Sequence, residues 1–490
     1  MRPRTRRGRL SPGTRYVARG TRRYLPLPRT TRQRKEWDSN PRRPEDLNGF
    51  RGRPIRPLWH PSGAETLANE QVVPVRDDRT WGWAALAVGA VAFVWSLRAY
   101  VIVALDRKDA WELIDLEVYR DGASTFLHHS STLYDAALGR FRLPFLYPPF
   151  AAIAFIPLTH VDWDLARQLF TGLGLAALVA SIWWAWGMTG RRPGVERAGL
   201  TLGIAAIALW LEPVQQTLLF GQINLIVLGL VVYDLHLRDD RPWKGVALGL
   251  AVGLKLTPAL FVVYLFLTGR RRAALTAVGT FAATFLIGFA TAPSAARQYW
   301  GGDFLVGDKI GQSYVGNQSL KGALLRLLGA GTTADRLYVV VAVVVAVAGL
   351  WLAVRTHRAG DELLAVVVTA LTMLLVSPIS WSHHWVWVAL VLVLLADRAL
   401  RRPLGWALPT LAAVVLLSWA WFGRVGDDGR DDPRLTVLPQ GLIWRVPRRD
   451  GRELDWHGLQ NITGNLYVVL GLVGLVAVAW MRWIRRSADR

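Results

Sequence analysis

From Trp81 to its end, the chain is a series of apolar runs separated by short polar stretches. Most runs approach the roughly 20 residues that a helix needs to cross the hydrocarbon core of a bilayer. The predicted spans lie near residues 82–104, 146–160, 164–187, 198–214, 217–235, 244–267, 273–292, 336–354, 362–379, 383–396, 404–422 and 465–484. The pattern predicts an all-α polytopic membrane protein with about twelve transmembrane helices.

Composition narrows the class of protein further. The chain is 52% hydrophobic with a mean hydropathy of +0.25, which excludes a soluble enzyme and a disordered scaffold. Its formal net charge is +22, but residues 1–80 alone hold 20 Lys and Arg against 8 Asp and Glu. The remaining charge lies at loop ends, as in membrane proteins, so we expect no nucleic-acid partner. The absence of cysteine excludes disulfides and a cysteine nucleophile.

The region before the first span differs from the rest. Residues 1–80 are rich in Arg, Pro and Gly and contain no apolar run, so we expect a disordered basic tail. Residues 37–62, WDSNPRRPEDLNGFRGRPIRPLWHPS, resemble the translation of a transfer-RNA gene. One hypothesis is that the natural start lies downstream, around residues 67–75; the alternative is a genuine cytoplasmic tail. Residues 81–490 then form one transmembrane domain.

Basic loops predict the orientation. The arginines within residues 270–272, 398–402 and 482–486 would all lie in the cytoplasm, together with both termini, if the chain crosses twelve times. The loop at residues 191–197 disagrees, because its arginines would then face outward. Three long polar segments, 105–145, 293–335 and 423–464, fall on the extracytoplasmic face. Loops of that length are usually functional, so we expect the active site there, at the plasma membrane.

The first outer segment contains candidate carboxylates. Asp115 lies shortly after the first span, where a positioned carboxylate can accept a proton from an attacking hydroxyl, and Glu117 is its neighbour. A solvated loop acid is the alternative for both. Tyr147, in the sequence LYPPF, is most simply an interfacial aromatic residue, with its prolines at a helix entry.

Two further candidates lie within apolar spans. Lys255, in GLKLTP, is an ionisable group inside a span and therefore a functional hypothesis, with a phosphate or an acid such as Glu212 as its partner. Snorkelling to an interface is the alternative. Gln222 and Asn224, in GQIN, indicate interhelical hydrogen bonds or a polar patch facing a lumen.

The other outer segments add neutral donors and imidazoles. Asn317 and Gln318, in YVGNQSL, are suited to sugar hydroxyls. His383 and His384, in SPISWSHHWVW, are suited to hydrogen bonding with a phosphate or sugar, or to a structural role. Adjacent residues on a helix point about 100° apart and rarely chelate one ion, so we expect no metal.

Taken together, these motifs resemble glycosyltransferase family 87. They are D-x-x-V-Y from Asp115, FLYPPF, G-Q-x-N, G-L-K-x-x-P, G-N-Q-S and S-W-S-H-H, in this order along the chain. The resemblance covers roughly residues 82–485 and implies a GT-C-type fold with long extracytoplasmic loops. It is nearest to polyprenol-phosphate-mannose-dependent α-1,2-mannosyltransferases of phosphatidylinositol mannoside and lipoarabinomannan synthesis in actinobacteria.

The resemblance also implies a mechanism. An inverting transfer would move mannose from a polyprenyl-phosphate donor to a glycolipid acceptor without a cofactor. Asp115 would be the base, and Lys255, His383 and His384 would bind the leaving phosphate. Two alternatives stay open: an arabinosyltransferase that uses polyprenyl-phosphate-arabinose, and a flippase or transporter for a lipid-linked sugar.

Overall fold

The computed structural model describes residues 79–106, 113–302, 311–401, 405–423, 425–432 and 438–488. The tail predicted for residues 1–80 lies outside this range apart from its last two positions. The helices are α1 (Arg79–Asp106), α2 (Ile114–His129), α3 (Pro149–Phe155), α4 (Trp163–Met188), α5 (Val195–Ala208), α6 (Glu212–Phe220), α7 (Asn224–His236), α8 (Val246–Leu254), α9 (Ala259–Leu267), α10 (Arg271–Thr291), α11 (Pro293–Trp300), α12 (Leu320–Leu328), α13 (Thr332–Arg358), α14 (Glu362–Val376), α15 (Val388–Arg401), α16 (Ala407–Ser418), α17 (Leu459–Gly464) and α18 (Leu466–Ala488). A two-stranded antiparallel hairpin joins β1 (Trp421–Gly423) to β2 (Leu438–Gln440).

Helices long and apolar enough to cross a membrane are fewer than predicted. Six are found in the described part of the chain, or seven if the bent pair α6–α7 counts as one span. The six are Thr80–Tyr100, Trp163–Met188, Arg271–Thr291, Thr332–Arg358, Ser382–Arg401 and Leu466–Ile484. The helical class is confirmed and the count of about twelve is not, because several predicted spans are short or broken helices.

The predicted span at residues 146–160 runs beside α2. It consists of α3 and a 3₁₀ turn, Ile156–His160. The Tyr147 hydroxyl lies 2.8 Å from the Tyr119 hydroxyl of α2. At the other end, the Arg120 guanidinium of α2 donates to the Val161 carbonyl over 2.6 Å. Since both ends contact one 16-residue helix, we infer that this segment does not cross.

The predicted span at residues 244–267 is a re-entrant pair. It breaks between α8 and α9, where Lys255 is extended. The chain before α8 and the chain after α9 meet, because the Arg272 guanidinium donates to the carbonyls of Asp239 (2.6 Å) and Arg241 (2.8 Å). The pair thus returns to the face it started from, with Lys255 at its tip.

Ion pairs join the basic loops into one face of the molecule, which we call the basic face. Arg191 pairs with Asp397 at 3.0 Å, and Arg398, the next residue, pairs with Asp361 at 2.7 Å. The neighbouring Glu362 pairs with Arg270 at 2.7 Å. The loop at residues 191–197, expected to oppose the other basic loops, therefore lies beside them. The two segments that do not cross account for this difference.

Burial separates two sets of helices. The cores of α14 and α15 are almost entirely buried. Val91 of α1, Leu275 of α10 and Val347 of α13 are 70%, 67% and 65% exposed. Such apolar surface on long helices is what hydrocarbon covers in a membrane. The three outer segments contain regular structure that the sequence pattern did not indicate: α2 in the first, α11 and α12 in the second, and the hairpin and α17 in the third.

Candidate active site

A cavity of about 750 Å³ lies where the broken segments and the outer segments meet. Six of the residues singled out in the sequence line it: Asp115, Tyr147, Gln222, Lys255, His383 and His384. They come from α2, the link before α3, the link between α6 and α7, the tip of the α8–α9 pair, and the 3₁₀ turn before α15. The volume falls within the usual range for a small-molecule site.

The first turn of α2 places Asp115. Leu113, just before the helix, has a left-handed backbone (φ 54°), and its N–H donates to the Leu219 carbonyl over 2.7 Å. Gly221 also has a positive φ, 66°, and a Cβ there would lie 2.7 Å from the Leu116 side chain. Only glycine allows the start of α2 to dock so closely on the α6–α7 link. The docking brings Asp115 to Gln222.

Gln222 is oriented by two phenols. Its Oε1 accepts hydrogen bonds from the Tyr119 hydroxyl (2.8 Å) and the Tyr147 hydroxyl (3.1 Å), which leaves its amide N–H groups to donate to the Asp115 carboxylate. Burial raises the pKa of Asp115 to about 6, against the opposing effects of the Gln222 hydrogen bond and the Lys255 charge. Asp115 is thus a carboxylate poised to exchange a proton near neutral pH.

Lys255 is held by two partners. Its Nζ donates to Asn224 Oδ1 over 2.7 Å and lies 3.0 Å from His384 Nε2. An ammonium has three N–H donors, so one remains to be directed to a ligand. If His384 accepts from the ammonium at Nε2, its own proton is on Nδ1. The alternative partner considered for Lys255, Glu212, instead accepts from Ser382 Oγ (2.8 Å), Trp444 Nε1 (2.9 Å) and the Tyr467 hydroxyl (2.7 Å).

His383 is fixed through its backbone. Its carbonyl accepts from Thr217 Oγ1 (2.8 Å) and from Asn224 Nδ2 (3.0 Å). Its buried Nε2 has no hydrogen-bond partner among the described residues, and the side chain lines the cavity. A buried polar atom of this kind is satisfied by a ligand or water. Asn224 therefore organises the site by holding both Lys255 and His383, while it does not itself line the cavity.

Besides Asn224, three predicted residues do not line the cavity. The Asn317 side chain bonds the backbone at Gln312, Pro378 and Ser380, over 2.9–3.2 Å. The Gln318 side chain likewise bonds only backbone groups, at Val315, Gly464 and Tyr467. Both are fully buried, so they join outer segments together and offer no free donor to a sugar. Glu117 binds Arg140 with two contacts of 2.8 and 3.0 Å, away from Asp115.

Several lining residues were not indicated by the sequence motifs. Gln440, Trp444, Arg448 and Arg449 come from the third outer segment, more than 200 residues beyond Gln222. Tyr119, which is fully buried and holds Gln222 from behind the lining, was visible only as part of the D-x-x-V-Y motif. In the described residues no group of three His, Cys, Asp or Glu side chains could hold a metal ion.

Comparison with known proteins identifies the family. The profile of glycosyltransferase family 87 matches residues 145–378. A polyprenol-phosphate-mannose-dependent alpha-(1-2)-phosphatidylinositol mannoside mannosyltransferase of Mycobacterium tuberculosis is 37% identical over 337 residues, 63% of this chain and 78% of that protein. The chain belongs to glycosyltransferase family 87. This confirms the predicted family, the enzyme class and the multi-pass GT-C-type fold.

Further relatives extend the family 87 match. A protein of the same name from Mycolicibacterium smegmatis is 36% identical over 390 residues, 74% of this chain and 84% of that protein. A phosphatidylinositol pentamannoside mannosyltransferase of Mycobacterium tuberculosis, also polyprenol-phosphate-mannose-dependent and alpha-(1-2), is 34% identical over 367 residues, 72% of this chain and 79% of that protein. The family profile begins after Asp115 and ends before His383, so it includes Tyr147, Gln222 and Lys255 of the cavity.

Proposed function

We propose that this chain transfers mannose from polyprenol-phosphate-mannose to a phosphatidylinositol mannoside and forms an α-1,2 linkage. The names of the relatives support the donor, the acceptor and the linkage. The observation that carries the proposal is the meeting of one carboxylate, Asp115, and one cation, Lys255, across a cavity large enough for a sugar phosphate and an acceptor sugar.

Asp115 acts as the general base. An acceptor hydroxyl attacks the anomeric carbon of the donor while Asp115 takes the hydroxyl proton, and the bond from that carbon to the phosphate oxygen breaks. A single displacement of this kind inverts the β-linked donor to an α-linked product. The Gln222 amide keeps the carboxylate in place, and burial gives it a pKa suited to accepting a proton.

The leaving polyprenyl phosphate gains charge as the bond breaks. Lys255 supplies a positive charge and its remaining N–H donor, and Asn224 and His384 fix its position. His383 contributes the Nε2 atom that has no protein partner in the described part of the chain. Donors aimed at developing charge in a site withdrawn from water contribute strongly to catalysis. The apolar side chains of Leu256, Leu260 and Val376 line the same cavity and suit an isoprenoid chain.

The cavity opens on the extracytoplasmic side in this proposal. Its lining comes from the ends of the helices opposite the basic face, and basic loops mark the cytoplasmic side of membrane proteins. With residues 146–160 and 244–267 as segments that do not cross, ten crossings remain of the twelve predicted: the six long helices, the bent pair α6–α7, and the shorter helices α5, α14 and α16. Both termini then stay in the cytoplasm.

Single cysteines test the orientation, since the chain has none of its own. Arg430→Cys lies in the third outer segment at an exposed position, and Asp240→Cys lies beside the basic face with a side chain 60% exposed. An impermeant thiol reagent applied to intact cells should label the first and spare the second. Labelling of Asp240→Cys alone would reverse the orientation and place the cavity in the cytoplasm.

Product analysis tests the reaction. The purified full chain in lipid nanodiscs is incubated with phosphatidylinositol mannoside and labelled polyprenyl-phosphate-mannose, and the product lipid is digested with an α-1,2-specific mannosidase. Release of label is expected. Transfer from polyprenyl-phosphate-arabinose instead would make the chain an arabinosyltransferase. Movement of the donor across a vesicle bilayer without any product would make it a flippase.

A further inference from the structure

We call the part of the cavity that the third outer segment lines its second end; the proposed reaction chemistry does not use it. Gln440, Trp444, Arg448 and Arg449 of the third outer segment line it, with Tyr314 and Trp381 beside them. The Tyr314 ring centroid lies 6.0 Å from that of Trp444 and 6.3 Å from that of Trp381. Aromatic rings of this kind pack against the C–H face of a sugar, while amides bond its hydroxyls.

The charges of the lining residues exceed what the donor needs. Three cations, Lys255, Arg448 and Arg449, face one carboxylate, Asp115, among the residues that line the cavity. Lys255 serves the single phosphate of the donor in the proposed reaction. Asp427 contacts both arginines at 3.4 Å and offsets part of their charge, so binding of a second anion depends on the arginine whose guanidinium is exposed.

Arg448 and Arg449 differ in what their side chains contact. The Arg448 guanidinium is buried and donates to three carbonyls, at Gly426 (2.7 Å), Val425 (2.9 Å) and Trp444 (2.9 Å). It holds the outer segment together. The Arg449 side chain is 45% exposed, hydrogen-bonds Tyr314 and contacts Asp427 at 3.4 Å, and it lines the cavity. Arg449 is the arginine that reaches a ligand.

The backbone presents Arg449 in an unusual conformation. Its φ is 64°, in the left-handed region that non-glycine residues rarely adopt, and the next residue, Asp450, has a φ of 51°. The Glu453 carboxylate accepts the Arg449 N–H over 2.9 Å and keeps the turn in place. Strained turns persist where surrounding contacts impose them, and they cluster at ligand sites.

Gln440 offers an acceptor beside these rings. Its Oε1 is buried and has no hydrogen-bond partner in the residues described, which on this segment are 425–432 and 438–488. Because a buried amide oxygen without a donor is costly, a ligand hydroxyl at this position would satisfy it.

We propose that this second end binds the acceptor as an anionic glycolipid. Arg449 contacts the phosphodiester of the lipid, the Gln440 amide accepts from a sugar hydroxyl, and Tyr314, Trp381 and Trp444 pack against the sugars. The saccharide then extends toward Asp115, where its terminal hydroxyl reacts. This inference rests on the proposed function, because it assigns the acceptor of that reaction.

Binding of two matched lipids tests the inference. The full chain in detergent micelles is titrated with labelled phosphatidylinositol mannoside, and separately with a mannosyl diacylglycerol, which carries sugar but no phosphate. Arg449→Gln should weaken binding of the phosphate-bearing lipid about tenfold and leave the neutral lipid unchanged, while Arg449→Lys retains part of the affinity. Arg445→Gln is the matched control, since Arg445 pairs with Asp431 (3.2 Å) outside the cavity at similar exposure.

Three outcomes would overturn the inference: equal affinity of Arg449→Gln and the parent for the phosphate-bearing lipid, equal loss for both lipids, or the same loss in Arg445→Gln. The donor is absent from the titration. A failure of acceptor binding can therefore be told apart from a failure of transfer, which is measured with the donor present and a product analysed.

Discussion

The long helices and the broken segments of this protein differ in what they carry. Helices α1 and α13 run for 28 and 27 residues without interruption, and their apolar side chains face outward. The α6–α7 link bends the chain by 117°, and the α8–α9 pair breaks at Lys255. The broken segments bring Gln222 and Lys255 to one cavity, whereas none of the described side chains of α1, α10 or α13 lines it.

The long helices and the broken segments differ because their surroundings differ: lipid on one side, protein and a polar cavity on the other. A lipid-facing helix must satisfy all its backbone groups internally, so its backbone stays regular. A break exposes N–H and C=O groups and is tolerated only where protein or a polar cavity receives them. Breaks are therefore the places where polar side chains can be presented at depth, and they concentrate the chemistry of the molecule.

The largest effect is expected from Asp115→Asn. Asparagine keeps the size of the side chain but cannot take the proton, and a positioned base typically contributes about 10²–10⁴-fold. We expect insertion and folding to be unchanged and nearly all transfer to be lost, measured as product per unit of purified protein. Asp121→Asn is the control on the same helix, since Asp121 only accepts from the Gly139 N–H (2.9 Å). A variant at Asp115 that keeps more than about a tenth of parental turnover would remove it as the base.

Lys255→Ala tests the tip of the re-entrant pair. Loss of the cation should lower kcat/KM for the donor by about 10²-fold, because a charge-assisted contact to phosphate disappears. Lys255→Arg should recover part of it. Lys321→Ala is the control, a lysine of α12 that pairs with Asp335 at 3.5 Å away from the cavity. Equal donor kinetics in Lys255→Ala and the parent would reduce Lys255 to a structural role.

Sequence reasoning singled out several residues that the structure places in one cavity. Asp115, Lys255, His383 and His384 stood out because each is polar at the end of, or inside, an apolar run, and the structure brings all four to one cavity. Asn317 and Gln318 were predicted as partners for sugar hydroxyls, and they lie outside the cavity. Their amides bond backbone groups and are not available to a ligand. Those backbone groups include residues about 60 to 150 positions away, which the local sequence does not reveal.

The number of crossings could not be read from hydropathy for a related reason. Residues 146–160 and 244–267 are apolar enough to predict spans. What stops them from crossing is packing on α2 in one segment and a break at Lys255 in the other. The arginines at the second end of the cavity were missed because nothing in the local sequence distinguishes Arg449, in the cavity, from Arg445, outside it.

Gly221→Ala tests the role of the bend between α6 and α7, and a glycine substitution within a long helix serves as its control. A Cβ at Gly221 would meet the Leu116 side chain at 2.7 Å, and the φ of 66° disfavours alanine in any case. The start of α2 must shift, which moves Asp115 from Gln222, and a displacement of about 1 Å can cost about 10²-fold in rate. We expect a loss of roughly ten- to a hundredfold in kcat.

Gly279→Ala is the matched control for that bend. Gly279 lies within α10, and a Cβ there meets nothing within 4 Å. This substitution should leave transfer unchanged and raise the melting temperature slightly, since alanine favours a helix over glycine. Parental activity in Gly221→Ala would show that the docking of α2 on the link does not position the base.

The smallest effect is expected from pH. The pKa of Asp115 is raised to about 6, and the carboxylate must be ionised to act as a base, so kcat/KM should rise with pH and level off above about pH 6. Below that value it should fall about tenfold for each unit of pH, so that a change from pH 7 to pH 6 costs only about twofold. Because Lys255 opposes the rise in the pKa of Asp115, the acid limb of Lys255→Ala should move to higher pH. A profile that is flat between pH 5 and pH 8 would show that no buried carboxylate with this pKa takes the proton. An acid limb at the same pH in Lys255→Ala and the parent would show that the charge of Lys255, at the break, does not affect the pKa of Asp115.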